Sequence, residues 1–270
     1  MSRAEYLVYD IETVPTTSLA KEWRESEDYE KDKKYQKTPE GQEPFPPLGC
    51  HRVITIGALV LDQNLTVLKS GVLAGGAVEG DERAQVARWN EIVSTSNPRG
   101  PLTIVDWNGR RFDAPVLQFR AFRYGIDMSW YFKPLPDNKG KISSFSKNYR
   151  DRFGGRHVDL AELWTNSGAF NKCHMKDLAQ LMGLPGKAGI DGSMVHGAWL
   201  EDRHKEIDDY CVEDVWHTGF IMMRMRLLAG SISVGEYRTA VLALLGHASE
   251  TEGHEEFLKS IDKKRLTLDG

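Results

Sequence analysis

Apolar positions in this chain recur with two periods, and the periods divide it into strands and helices. Tyr6-Leu7-Val8-Tyr9-Asp10-Ile11 is a nearly continuous apolar run, which predicts a buried strand ending at Pro15. Arg52 to Leu61 and Leu65 to Leu73 read as two more strands joined by the turn Asp62-Gln63-Asn64, and Leu102 to Trp107 as a fourth. An early hairpin followed by a later strand predicts a mixed sheet with antiparallel members. Helical spacing appears over 81–94, with Ala84, Val86, Ala87, Ile92 and Val93 placed inward. It returns over 114–124, opened by Asp113 as N-cap with Pro115 in the first turn and closed by Gly125. Residues 157–163 read as a last strand running into a helix. Residues 175–182 form a short helix stopped by Gly183 and Pro185. One long helix is expected over 201–228 and another over 234–245.

Between these elements the pattern fades. Residues 19–48 are charged and then proline-rich, and read as a helical turn followed by a loop. Residues 133–156 are rich in Lys, Arg, Gly and Ser and read as a loop; 186–197 are glycine-rich. Beyond Gly246 the chain is polar and expected to be peripheral. No repeat or low-complexity tract is present. The expected organisation is one domain over 1–230 and a small helical, polar C-terminal appendage over 231–270.

Three acidic segments break the apolar pattern. Asp10 and Glu12 are two apart on the first strand, so both project from one face. Solvated acids at a strand edge are the bland alternative; on a central strand, unpaired, they are costly. Asp214 falls on the stripe of Ile207, Cys211, Thr218, Ile221 and Met225, with Tyr210 one turn before it. A tyrosine–aspartate pair satisfying a polar core site is the alternative there. Asp113 follows a strand within Asn108-Gly109-Arg110-Arg111-Phe112-Asp113, and a simple helix cap would explain it. Brought together, four carboxylates would repel one another unless compensated, and one or two divalent cations are the natural compensation. Magnesium or manganese on carboxylates is the equipment of phosphodiester chemistry.

In order and approximate spacing, Asp-x-Glu, Asn-x3-Phe-Asp and Tyr-x3-Asp resemble the three motifs of the DEDD superfamily of 3′→5′ exonucleases. The tyrosine four residues before the last aspartate places the resemblance in the tyrosine branch; the histidine branch would need a histidine where Asp209 stands. The chain is most similar to the PolB-like predicted 3′→5′ exonucleases, over about residues 4 to 230. Arg156-His157-Val158-Asp159-Leu160 and the segment from Gly189 to Val195 add to the likeness. The resemblance implies a ribonuclease H-like α/β fold, a mixed central sheet flanked by helices. It implies catalytic Asp10, Glu12, Asp113, Tyr210 and Asp214, with the four acids holding two Mg2+ or Mn2+ ions and Tyr210 orienting the attacking water. The implied partner is the 3′ end of single-stranded or frayed nucleic acid, released as nucleoside 5′-monophosphates. DNA is favoured over RNA through the polymerase-domain likeness alone. Thr13, Asn108 and Phe112 are the expected contacts at the strand terminus, and no length remains for a polymerase domain.

Composition narrows rather than changes this picture. The chain has 270 residues, 40% hydrophobic and 27% charged, with a formal net charge of −4, which excludes a wholly basic nucleic-acid coat. Local basic segments can still set the field. Lys139, Lys141, Lys147, Arg150, Arg152 and Arg156, interleaved with Phe145, Tyr149 and Phe153, fit strand tracking as well as they fit a solvated loop; Lys147, Arg150 and Arg152 are the expected contacts. Three cysteines, an odd number, argue against a secreted disulfide framework. Cys50-His51 and Cys173-His174 match no common zinc spacing. No apolar run approaches the ~18 residues of a spanning helix, and the first carboxylate follows the start too soon for a signal peptide; a cytoplasmic protein is expected. Three alternatives stay open: a catalytically silent nucleic-acid-binding module, an exoribonuclease, and a ribonuclease H-like endonuclease.

Overall fold

The apolar runs pair into one five-stranded mixed sheet of order β3-β2-β1-β4-β5. The computed structural model describes residues 3–40, 43–95, 100–136, 140–169, 173–185 and 190–269. Central β1 (Ala4–Pro15) runs antiparallel to β2 (His51–Asp62) and parallel to β4 (Thr103–Asp106). On the outside, β3 (Val67–Val72) pairs antiparallel with β2, and β5 (His157–Asp159) pairs parallel with β4. This is the ribonuclease H-like arrangement expected from the sequence.

Alternation along β1 sorts its side chains between two layers. Leu7, Tyr9 and Ile11 join one apolar cluster with Trp89, Leu117 and Tyr149. Val8 joins the other, with Val215, Trp216 and Phe220. The first layer is built by α4 (Glu82–Thr95) and α5 (Asp113–Tyr124). A buried ion pair ties them: Arg120 Nη2 on α5 lies 2.6 Å from Glu82 Oε2 on α4, and Glu82 Oε1 accepts the Val53 N–H of β2 at 2.7 Å. The second layer is α10 (His204–Leu228), with α8 (Met175–Met182) and α11 (Val234–Ser249) behind it. Being sandwiched, α10 is buried almost all round from Ile207 to Met223, more completely than a one-faced stripe predicts.

The remaining helices are short. α1 (Thr17–Arg24) and α2 (Glu27–Tyr35) follow β1, and α3 (Gly76–Glu79) follows β3. α6 (Ser129–Phe132) follows α5, and α7 (Leu160–Trp164) leads out of β5. α9 (Val195–Leu200) begins in the last residues of the glycine-rich stretch 186–197, and a turn separates it from α10. α12 (Glu255–Lys259) and α13 (Lys263–Thr267) end the chain.

Several expectations change. α2 is a full helix with no buried residue, steadied by Lys31 beside Asp28 and Glu27 and by the Trp23 indole N–H on Asp32. The inner side of α4 is Glu82, Gln85, Val86, Trp89, Ile92 and Val93; Ala84 and Ala87 turn outward. The segment beyond Gly246 is not peripheral, since Phe257, Ile261 and Leu266 are buried in the same cluster as α10 and α11. Among the described residues no helix is long and apolar enough to cross a membrane.

Candidate active site

Asp10 and Glu12 share Val8's side of β1, so they face α10. Asp214 on α10 meets them there. Each of the three offers a carboxylate oxygen, and the three atoms lie within 4.8 Å of one another. Glu12 and Asp214 are buried, while Asp10 is half-buried. An all-oxygen set of three acids at this spacing fits a hard divalent cation, which replaces mutual repulsion by attraction.

The close approach of α10 is built into two residues. Gly57 of β2 pairs with Asp10 and sits under α10. A Cβ at Gly57 would lie 2.8 Å from Val215 Cγ2 and 2.9 Å from the Cys211 carbonyl oxygen. Instead, the Gly57 N–H donates to Cys211 Sγ at 3.2 Å, and the same sulfur lies 3.8 Å from Asp10 Oδ2. Burial, then the charges of Asp10 and Glu12, push the Cys211 thiol well up. It therefore stays protonated, a neutral neighbour to the acids.

Tyr210 lies on the same side of α10 as Asp214. Burial first, then the charges of Asp214, Glu12 and Asp10 and a hydrogen bond with Asp214, push its phenol far above the ordinary value. It is a proton donor in this setting and not a base. Its ring is walled by Val14, Ile54, Ile190, Val195 and Ile207. His217, one turn beyond Asp214, is buried; its Nε2 faces the Pro185 carbonyl at 3.2 Å and its Nδ1 lies 3.8 Å from Asp214 Oδ1. Burial holds its pKa below the usual histidine value.

Asp113 stands apart from the three-carboxylate group. It occupies the first turn of α5, where Phe112 is the N-cap residue and no side chain caps the helix. The expected capping role is absent because the Asp113 carboxylate reaches across to β1. The Ile11 N–H, between Asp10 and Glu12, donates to Asp113 Oδ1 at 3.2 Å. Burial, then the charge of Asp106, push the Asp113 carboxyl well above its usual range.

The Asn-Gly pair before it makes the turn possible. Asn108 has φ +64°, a left-handed conformation that asparagine tolerates. A Cβ at Gly109 would lie 2.3 Å from the Asp106 carboxylate; the Gly109 N–H instead donates to Asp106 Oδ1 at 3.1 Å. Asp159, at the end of β5, gathers the rest of the loop. It accepts from the N–H groups of Asn108 (2.9 Å), Arg110 (3.2 Å), Ala161 (3.0 Å) and Glu162 (3.1 Å). His157 Nε2 sits 2.6 Å from Asp106 Oδ2. The His157-Val158-Asp159 segment that adds to the family likeness is thus a brace for the Asn108–Asp113 loop.

Thr13 and Phe112 meet a partner that the sequence alone did not assign to the site. Thr13 Oγ1 lies 2.9 Å from His51 Nδ1, and His51 Nε2 lies 3.2 Å from the Pro46 carbonyl oxygen. A carbonyl only accepts, so Nε2 carries the proton and the Thr13 hydroxyl donates to Nδ1. The rings of Phe45, His51 and Phe112 pack together, with centroids 4.9 to 5.7 Å apart, and Phe45 remains exposed.

The basic segment is only partly available to a ligand. Tyr149 is fully buried, its hydroxyl donating to the Leu102 carbonyl. Lys147 pairs with Asp151 at 3.0 Å, and Arg152 pairs with Glu162 at 2.6 Å. Arg150 lies over the Phe132 ring at 5.4 Å. Lys139 falls outside the described residues, as does Gly189.

A mixed sheet of this order, with acids from its central strand opposed by an acid and a tyrosine from a crossing helix, defines a ribonuclease H-like nuclease. Residues 43–261 match the family described as "Predicted 3'-5' exonuclease related to the exonuclease domain of PolB", and the chain belongs to that family. Asp113, Tyr210 and Asp214 fall inside the matched region; Asp10 and Glu12 precede it, and their place beside Asp214 rests on the fold. No curated protein matches the chain.

Proposed function

We propose that this protein is a divalent-metal-dependent 3′→5′ exonuclease acting on single-stranded or frayed nucleic acid, with DNA preferred to RNA. One observation carries the reading: Asp214 of α10 closes on Asp10 and Glu12 of β1 into a single oxygen-donor group. Asp10, Glu12 and Asp214 would hold Mg2+ or Mn2+, with Asp10 shared if two ions bind. Bound there, such ions stabilise charge on the attacking and leaving oxygens of the scissile phosphate. Tyr210 holds its proton and orients the attacking water by hydrogen bonding. Asp113 pins the β1 backbone at Ile11, so that Asp10 and Glu12 keep their bearing toward α10.

The strand terminus is read from β1 and the Asn108–Asp113 loop. With its hydrogen given to His51, the Thr13 hydroxyl presents lone pairs, which suit the 3′-OH as a donor. Phe112 and Phe45 offer ring faces to the last base, and Asn108, at the start of the same loop, would contact the strand from the neighbouring cleft that it lines with Trp107 and Arg111. Arg150 follows the phosphates beyond. The leaving group is the 3′-oxygen of the penultimate nucleotide, and the product a nucleoside 5′-monophosphate.

The test uses purified protein with Mg2+ or Mn2+ on end-labelled DNA and RNA strands, linear and circular. Stepwise loss of 3′ mononucleotides from linear DNA is expected, with circles intact and EDTA abolishing the reaction. Cleavage of circles would replace the reading with an endonuclease, and faster decay of RNA would make the protein an exoribonuclease. Asp10→Ala and Asp214→Ala should each lower kcat by at least a thousand-fold while retaining the native circular-dichroism spectrum. Full activity in either variant removes the site assignment.

A further inference from the structure

The outer face of α5 carries aromatic side chains that the core does not use. Pro115, Phe119 and Phe122 follow one another at spacings of four and three, so they form one stripe. Phe119 is half exposed and Phe122 is 90% exposed. They form one wall of a groove of about 1040 Å3, which Phe132, Arg110, Arg150 and Arg152 also line. Large exposed rings gathered in a groove mark a binding surface rather than ordinary solvent exposure.

The groove borders the loop that carries Asp113, since Arg110 and Pro115 line it on either side of Phe112 and Asp113. Phe112, the residue that opens α5, packs on His51 and Phe45, and Asp113 holds Ile11 between the two β1 acids. One turn further, the Phe119 ring lies against Gly49, in the turn leading into His51. From Phe112 to Phe122 the helix advances roughly 15 Å, the length of about four stacked nucleotides at ~3.4 Å each.

Charge selects the occupant. Residues 108–156 carry eleven Lys and Arg against four Asp and no Glu, in a chain whose net charge is −4. Within the groove itself Arg110, Arg150 and Arg152 stand against Asp127 and Glu162, a small positive excess. Arg110 is largely buried, donating to the carbonyls of Tyr149, Asp151 and His157, and Glu162 pairs with Arg152, while Arg150 stacks on Phe132 and is, of these three, the cation left to a ligand. Alternating ring faces and guanidinium groups suit unpaired bases joined by phosphates. A duplex offers no free base faces to such rings.

We propose that the α5 groove binds the single strand on the 5′ side of the scissile phosphate, its bases stacking on Phe119, Phe122 and Phe132. This rests on the nuclease reading of the carboxylate site, and the test separates the two. The Phe119→Ala/Phe122→Ala double variant removes exposed rings and leaves the core intact; Phe122→Asp adds a repelling charge. KM and kcat are measured on a 12-nucleotide single strand and on a dinucleotide. Affinity for the same 12-mer is measured by fluorescence anisotropy in an Asp214→Asn background without metal. The expected result is a KM for the 12-mer raised roughly ten-fold or more, as the loss of stacked bases implies. kcat and dinucleotide hydrolysis should stay unchanged, and anisotropy should weaken in parallel. Unchanged KM and unchanged anisotropy overturn the groove assignment and leave the face to a protein partner. Wild-type protein that hydrolyses nothing, yet loses 12-mer binding in the groove variants, overturns the nuclease reading and keeps the groove.

Discussion

Asp214 and its two partners on β1 repel one another until a cation joins them, so neutralising one of them should act in opposite directions with and without metal. In EDTA, Asp214→Asn should melt at the same temperature as the parent or higher. With saturating Mn2+, the parent should gain about 5–10 °C, as expected for a ligand at a hundred times its Kd on a chain of this size, and the variant should gain little. Differential scanning fluorimetry with and without Mn2+ checks both. Asp113 makes a separate prediction through pH. Its carboxyl is pushed up in the folded protein by burial and by Asp106, so the native state binds the proton more tightly than the unfolded chain. Stability therefore falls as pH rises from the ordinary carboxylate range toward the elevated native value. Asp113→Asn retains an acceptor for the Ile11 N–H and cannot ionise; urea melts at pH 5 and pH 8 should show a smaller loss of stability than in the parent. Asp10, Glu12 and Asp214 were legible in the sequence because strand alternation and helical spacing fix which way each points. Read locally, Asp113 looks like a helix cap, and that part of the reading failed because its partner, Ile11, lies 102 residues away and leaves no local trace. His51 was noticed only as half of a Cys-His pair, since its place depends on how the loop through Phe45 and Pro46 closes.

At the scale of elements, the site depends on how closely α10 lies on the sheet, and Gly57 sets that distance. A methyl group there meets Val215 and the Cys211 backbone inside contact distance, so Gly57→Ala must lift the helix or bend β2. A cost of about 1–3 kcal/mol in stability is expected from overpacking. Because Asp214 rides on the same helix, metal affinity should fall as well. Calorimetric titration with Mn2+ should show weaker binding in a variant whose unfolding remains cooperative; unchanged affinity would mean the acids reach one another without that approach. The two-residue alternation of β1 and the inward stripe of α10 showed in the sequence that acids interrupt both elements, and the strand-to-helix order showed that they fall in one sheet fold. The sequence held no sign that β2 supplies the gap between them, because a lone glycine in a strand reads equally as a bulge, a bend or a close contact. α2 escaped for the opposite reason. Its pattern carries no apolar stripe, and its helicity comes from charged pairs and one indole bond that periodicity does not register.

The C-terminal helices test what counts as the whole molecule. The sequence, growing polar after Gly246, reads as a catalytic domain over 1–230 with an appendage. Yet Tyr237, Val241, Leu244, Leu245, Phe257, Ile261 and Leu266 lie in one cluster with Val215, Trp216 and Phe220 of α10. His254, buried, sits 2.9 Å from Glu213 Oε1, the residue beside Asp214. Few apolar residues are needed to complete a core when the preceding helix is already apolar on its outer side, which is why a polar segment concealed them. Burying side chains of this size stabilises a fold by ~1.5–3 kcal/mol each, so seven of them are comparable with the entire ~5–15 kcal/mol margin of a typical domain. A chain ending at residue 230 would also leave the outer side of α10 in water, and with it the helix that positions Tyr210 and Asp214. We expect the 1–230 fragment to lose cooperative thermal unfolding and Mn2+ binding together, measured by scanning calorimetry and by titration. A fragment that still melts in one transition and binds Mn2+ like the full chain would establish α11–α13 as a true appendage. In that case the packing of α10 against the sheet alone would suffice to hold the carboxylates in place.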